Sequence, residues 1–208
     1  MKITQILPRR SRLYEVRFDD GTYINLDRAY AERLSLAEGQ DISEEKANAM
    51  EDESDLIRCK NRAMYYLRES DLSEKKLREK LLKAGFEERF VLSATERLKE
   101  LSYIDDGRFA RRLYEKCQES GLSDRQAKEK LVKAGISRET AKEVCVYSAV
   151  DEQKKIRRLL NTKYRNKITD EEGIRKTAAA LSRRGFAFSD IKAVIKELSD
   201  TLCDINEE

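Results

Sequence analysis

From about residue 43 onward the apolar positions recur every three or four residues, the spacing of helices that bury one face; before that point they alternate. In the alternating part, the segment 2–7 predicts a strand and 8–11 a turn. Residues 12–18 place Tyr14, Val16 and Phe18 on one face, and Asp20-Gly21 is a strong hairpin signal. The chain then returns over 22–26, with Ile24 and Leu26 on one face, and 28–36 reads as a short helix. A meander this small is marginal alone and is expected to dock on a helix. Gly39 and Asp41 separate it from the helical part, and 43–70 reads as one long helix or two joined ones.

The helical part carries an internal repeat. Leu81-Leu82-Lys83-Ala84-Gly85-Phe86 recurs as Leu131-Val132-Lys133-Ala134-Gly135-Ile136 and again, altered, as Leu181-Ser182-Arg183-Arg184-Gly185-Phe186, so three glycines stand 50 residues apart. A fixed period of this length marks a repeat architecture in which neighbouring units share buried surface. Three helices are predicted per repeat: 55–69, 73–84 and 87–102; 105–119, 123–134 and 137–149; 150–167, 169–184 and 187–203. Ser73, Ser123 and Thr169 are placed as N-caps. Gly85, Gly135 and Gly185 have the logic of a Schellman stop: glycine takes the left-handed conformation, and the next apolar residue packs back on Leu81, Leu131 or Leu181. Asp105 reads as an N-cap, with Ile104 and Phe109 spaced as a hydrophobic staple. Matched apolar positions in the third helices (Val91, Ala141, Ile191; Ala94, Val144, Val194) extend the period. The fold class predicted is mainly α: an elongated array of three tandem three-helix repeats behind a small N-terminal β-hairpin or meander. Its boundaries are 1–42 for the β-rich extension with its short helix, 43–54 for a helical linker, and 55–104, 105–149 and 150–208 for the repeats.

Composition narrows the chemistry. Charged residues are 40% of the chain, well above the ordinary share, and a single proline leaves helices uninterrupted. There is no histidine, so no imidazole serves as base or ligand. The four cysteines (59, 117, 145, 203) form no CxxC unit, and reduced thiols without a metal are expected. The eight glycines are scattered singly and build no phosphate loop, and no GxSxG or HExxH motif occurs. An enzyme is not expected, nor a cofactor. No apolar run approaches 18 residues and no signal-peptide pattern opens the chain, so a cytoplasmic protein without membrane contact is expected.

The net charge of +3 hides an asymmetry: residues 154–184 hold eleven Lys or Arg against three acids, a local balance of +8. Lys154, Lys155, Arg157, Arg158, Lys163, Arg165 and Lys167 form a run with no nearby acid to offset it, continued by Arg175, Lys176, Arg183 and Arg184. Such a stretch suits a phosphate backbone or an acidic protein face, and it is the first candidate for a functional patch. Tyr164, between Lys163 and Arg165, has the chemistry to stack on a base, but Tyr114 stands 50 residues earlier in the equivalent place and favours a shared packing role. Mixed signs along 74–83 favour a solvated face with i,i+4 pairs.

Two stretches carry a resemblance to a known family: 73–86, and Leu98-Lys99-Glu100-Leu101-Ser102-Tyr103-Ile104-Asp105-Asp106-Gly107-Arg108-Phe109-Ala110. Together they resemble the RecX family of recombinase regulators, over about 55–200 and least in the third repeat. The resemblance implies tandem three-helix repeats, binding to the RecA recombinase and its nucleoprotein filament, modulation of its activity by inhibition, and no catalytic site. Single- or double-stranded DNA is a further partner it leaves open, and a monomer is expected. Tyr103, Asp105, Asp106, Arg108 and Phe109, with Gly85, Gly135 and Gly185, look diagnostic of the family, and their reading from the residues alone is cap, staple and packing. Arg111 and Arg112 flank apolar Phe109 and Leu113 and are expected to be exposed, with a partner contact and a plain solvated face equally open. The competing reading is a direct DNA-binding protein, either without sequence preference or through the helix-turn-helix-like pair 73–84 and 87–102. Against the latter, the motif recurs three times with very different charge, whereas a recognition helix is singled out.

Overall fold

The structure, a computed structural model, describes the backbone of residues 1–146, 148–168 and 170–205, and the side chains of these residues save 11, 149 and 199–205. It divides into two compact units, Met1–Asp105 and Asp106–Glu208.

The first unit opens with an antiparallel sheet of order β1-β2-β3: β1 (Ile3–Arg9), β2 (Leu13–Phe18) and β3 (Tyr23–Asp27). Val16 sits opposite both Ile6 and Ile24, so the alternating apolar residues share one face. Gly21 makes the turn at φ +86, and Asp20 accepts from the Thr22 N–H at 2.9 Å. The short helix α1 (Arg28–Leu34) is capped by Asp27, which accepts from the N–H groups of Ala29 and Tyr30. It ends two residues before the expected Leu36 because Ser35 turns left-handed at φ +51.

Residues 43–70 form one uninterrupted helix, α2 (Glu44–Glu69), with Ser43 as its N-cap. Its first half covers the sheet: Ala47 and Met50 join Ile3, Val16, Phe18, Ile24 and Leu26 in one core. Fully buried Ser54 accepts from the Asp27 N–H at 2.7 Å, fastening the sheet to the helix. Its second half contributes Cys59 and Ala63 to another core, with Leu77 and Leu81 of α3 (Glu74–Lys83) and Phe90, Val91, Ala94 and Leu98 of α4 (Glu88–Glu100). One helix therefore serves both the meander and the first three-helix set.

The second unit holds two further sets. Helices α5 (Asp106–Glu119), α6 (Asp124–Lys133) and α7 (Arg138–Val144) enclose Ala110, Cys117, Ala127, Leu131, Ile136, Ala141 and Cys145. Helices α8 (Ala149–Thr162), α9 (Glu171–Arg183) and α10 (Phe188–Ile205) enclose Ile156, Leu160, Tyr164, Leu181, Phe186, Ile191 and Val194. The protein is thus mainly helical with a small N-terminal antiparallel sheet.

All three glycine stops are Schellman motifs. Gly85, Gly135 and Gly185 have φ of +90, +95 and +87. The N–H of Phe86, Ile136 and Phe186 donates to the carbonyl of Leu81, Leu131 and Leu181 at 3.3, 3.1 and 3.3 Å, and each glycine N–H donates one residue further along. Ser73 and Ser123 cap α3 and α6. Thr169, read as the cap of α9, lies outside the described residues; Asp170 caps that helix by accepting from the Gly173 N–H at 2.7 Å. Two helices are shorter than their periodicity predicts. The one expected over 137–149 stops at Val144, where a Val-Cys-Val run of weak helix formers meets Ser148, the cap of the next helix. The one expected over 150–167 stops at Thr162, whose hydroxyl donates back to the Arg158 carbonyl at 2.7 Å, and continues only as a 3-10 turn at Arg165–Lys167.

Candidate partner-binding surface

The cations of the third set are divided by the fold. On α8 the residues Glu152, Ile156 and Leu160 are buried, which turns Lys154 and Arg158 outward. Lys163, Arg165 and Lys167 are exposed on the turn after α8, and Arg175, Lys176 and Arg183 on the outer side of α9. The expectation that the run lacks a nearby acid is corrected. Lys154 pairs with Asp151 at 3.2 Å, Arg157 with Glu197 on α10, and Lys176 with Glu172 at 2.7 Å. The helical spacing and the neighbouring helix α10 bring in carboxylates that a linear scan of 154–167 does not see. Tyr164, 6% exposed, belongs to the core and offers no face to a base.

Lys155 and Arg184 point inward, toward the second set. Lys155 donates to Asp124 at 2.7 Å and to Glu152 at 2.8 Å. Both carboxylates are buried, at 4% and 2% exposure. Asp124 also accepts from the Tyr114 hydroxyl at 2.7 Å and from Gln118 Nε2 at 2.9 Å, while Glu152 accepts from the Asp124 N–H at 3.1 Å. Burial holds the Glu152 carboxyl above its usual range, against the pull of Lys155. Burial also opposes the charge of Lys155, but its bonds to Asp124 and Glu152 prevail and raise its pKa. These directions agree once the two acids are separated: Asp124 gathers three side-chain donors, and Glu152 shares one ammonium and one N–H. Burial, then the bond to Asp124, pushes the Tyr114 phenol up as well. Arg184 donates from Nη1 to the carbonyls of Ser120 and Gly121 at 2.7 and 3.0 Å, and the Ser123 N–H donates to the Arg184 carbonyl at 3.1 Å. A Cβ on Gly185 would lie 2.3 Å from Gln126 Cγ and 2.4 Å from Ser123 Oγ. The second and third sets therefore meet through polar bonds and a close backbone approach.

Of the motif residues, Ile104 is buried in the first set's core and Phe109 packs on the second's. Tyr103 is 53% exposed, and its N–H donates to the Leu98 carbonyl at 2.9 Å in the turn that ends α4, where Ser102 is left-handed at φ +59. Asp105 and Arg108 are exposed and Asp106 opens α5. Arg111 and Arg112 are exposed as expected, and Arg111 borders an open cleft with Tyr114, Glu115 and Glu143. Among the described residues no group of three ligating side chains is placed to hold a metal, and no helix is long and apolar enough to cross a membrane. Burial raises the pKa of the Cys59 and Cys145 thiols to about 11, so they stay protonated near neutrality.

Comparison with known proteins bears on this arrangement. Residues 151–195 match the model of the RecX third three-helix domain. The regulatory protein RecX of Streptococcus pneumoniae (strain Hungary19A-6) is 30% identical over 200 residues, which is 95% of this chain and 77% of that protein. The chain belongs to the RecX family. The RecX protein of S. pneumoniae strain 70585 matches to the same extent. A crystal structure of regulatory protein RecX shares the fold with a TM-score of 0.66 at 18% identity, over 94% of this chain and 98% of that one. RecX from Lactobacillus salivarius follows at 0.59 and 22% identity, over 70% and 97%. The RecX domain that is matched is the third, where the internal repeat is most altered.

In this RecX-family chain, sequence reasoning overlooked the Asp124–Glu152–Lys155 cluster. Its members are 28 and 31 residues apart along the chain, a spacing tied to no period. One signal was present: Glu74 stands 50 residues before Asp124, and it too is paired, with Arg78 at 2.6 Å and Lys99 at 2.9 Å.

Proposed function

We propose that this protein regulates the RecA recombinase, binding it or its filament on DNA and inhibiting its ATPase and recombinase activity. The observation that carries this reading is the extent of the likeness: relatives named regulatory protein RecX align along 95% of the chain, through all three helical sets. The outward cations of the third set, with Arg111 and Arg112, are the proposed contact surface. Six of them, Arg158, Lys163, Arg165, Lys167, Arg175 and Arg183, are exposed and have no acid within ion-pair distance among the described residues. Lys155 and Arg184 lie outside this surface because their side chains are engaged within the unit. If each of the six meets a phosphate of single-stranded DNA, log K falls with log salt at a slope of about −4.

Cosedimentation with RecA filaments on single-stranded DNA tests the reading. The wild type is expected in the pellet. The variant Arg158→Glu/Lys163→Glu/Arg165→Glu, altered only at exposed positions, is expected to stay largely in solution. Wild-type protein left entirely in the supernatant by fully pelleted filaments overturns the proposal.

A further inference from the structure

The first three-helix set carries a cluster that the repeat does not explain. Residues 56–68 of α2 contain Arg58, Lys60, Arg62 and Arg68, two adjacent tyrosines and no acid. The Arg62 guanidinium lies 5.9 Å from the ring centre of Tyr65 and 5.8 Å from that of Tyr66. Arg68 lies 5.7 Å from Tyr65, and Lys80, reaching from α3, lies 5.1 Å from Tyr66. The two rings are 6.0 Å apart and tilted by 59°. Tyr65 is 46% exposed, and Glu69 lies 4.0 Å from Arg68.

Tyr66 is half-buried against the core of the first set, but packing does not account for Tyr65. Fifty residues on, Tyr65 and Tyr66 become Glu115 and Lys116, and then Arg165 and Asn166, so the shared three-helix architecture needs no aromatic at these positions. The core-packed tyrosine of the later sets, half-buried Tyr114 and buried Tyr164, corresponds to Met64 instead. Tyr and Arg also occur at the cores of protein interfaces, but Lys, which such cores deplete, stands over Tyr66 here. Rings interleaved with cations are what a single strand of nucleic acid requires. Bases stack on the rings without regard to sequence, and guanidinium and ammonium groups meet the phosphates. An exposed cation–π contact is weaker than a base stacked on an aromatic ring. A base therefore displaces Arg62 or Arg68 from Tyr65 at a net gain, and the displaced guanidinium is free for phosphate.

We infer that Tyr65, Tyr66, Arg62, Arg68 and Lys80 form a stacking site for single-stranded nucleic acid in the first three-helix set, apart from the cations of the third. The site does not depend on the recombinase reading, because the strand alone is its ligand. The test is photo-cross-linking of the full chain to an oligothymidylate bearing 5-iodouracil, with the linked residue located by mass spectrometry. Linkage at Tyr65 or Tyr66 is expected. Anisotropy with labelled oligothymidylate should show Tyr65→Leu weakening binding about 5- to 100-fold and Tyr65→Phe retaining it, with melting temperatures unchanged. Arg62→Gln/Arg68→Gln should make the salt slope about 1.4 shallower. Linkage confined to residues 154–184, or Tyr65→Leu binding as the wild type does, overturns the inference. Equal competition by polyglutamate overturns it in favour of an acidic protein segment.

Discussion

Replacing Lys155 with Met tests how the second and third helical sets are held together. The substitution keeps most of the apolar stem and removes the ammonium that bonds Asp124 at 2.7 Å and Glu152 at 2.8 Å. Two carboxylates, exposed by only 4% and 2%, are then left without a cation. Removing one partner from a buried ion pair costs about 3–5 kcal/mol. Asp124 keeps Tyr114 and Gln118 as donors, and Glu152 keeps the Asp124 N–H, which sets the expectation at the lower end, about 3 kcal/mol. For a unit of this size that is a fall of about 12–24 °C in melting temperature. Urea and thermal unfolding followed by far-ultraviolet circular dichroism measure it. The sign of the pH dependence comes from Glu152. Burial raises its folded-state pKa, so its contribution to stability is complete below the ordinary carboxylate value and declines as pH rises through the raised one. Without Lys155 that penalty grows, so the loss relative to wild type should be larger at pH 7.5 than at pH 5. Neutralising the stranded charge, as Lys155→Met/Glu152→Gln, should recover much of the loss. A single variant within about 0.5 kcal/mol of wild type, the range of an ordinary surface change, refutes the reasoning.

Three further outcomes are expected. Gly85→Ala adds a Cβ into open space and bears only the strain of φ +90, about 1 kcal/mol, whereas Gly185→Ala also drives a Cβ against Gln126 and Ser123 and should cost about 1–3 kcal/mol more; equal urea midpoints would remove the close approach from the account. Ser54→Ala leaves the Asp27 N–H without its buried acceptor and should destabilise the sheet-bearing unit by about 1–3 kcal/mol, read from faster amide exchange in β3. Hydrogen bonds from Arg9 and then Arg17 pull the Glu15 carboxyl down to about 2, so its contribution is present above the ordinary carboxylate value and disappears as pH falls from about 4 to 2; Glu15→Gln should flatten that part of the acid-unfolding curve.

The sequence made the periodic features legible. Gly85, Gly135 and Gly185 announce three helix ends by their spacing, and the same hydrogen bonds close each of them. Tyr14, Val16, Phe18, Ile24 and Leu26 announce a pleated face, and that face is buried or half-buried against α2. Helix ends set by local competition were less visible: the Ser148 hydroxyl caps the helix that follows, and the Thr162 hydroxyl bonds back to the Arg158 carbonyl, neither of which hydropathy registers. Least visible was the fate of single charges. Lys154 and Lys155 are neighbours in the sequence, yet one faces water and the other a buried pair of acids brought from 28 to 31 residues apart. Arg184 is taken up by carbonyls 63 and 64 residues away, a contact that no local pattern encodes.

The central claim, that the chain restrains the RecA recombinase, is tested most directly by the recombinase's ATP hydrolysis on single-stranded DNA, titrated with this protein at fixed salt. A saturable, dose-dependent fall in turnover, weakened by reversing Arg158, Lys163 and Arg165, is the expected result. Turnover unchanged at a large molar excess of the wild type would contradict it.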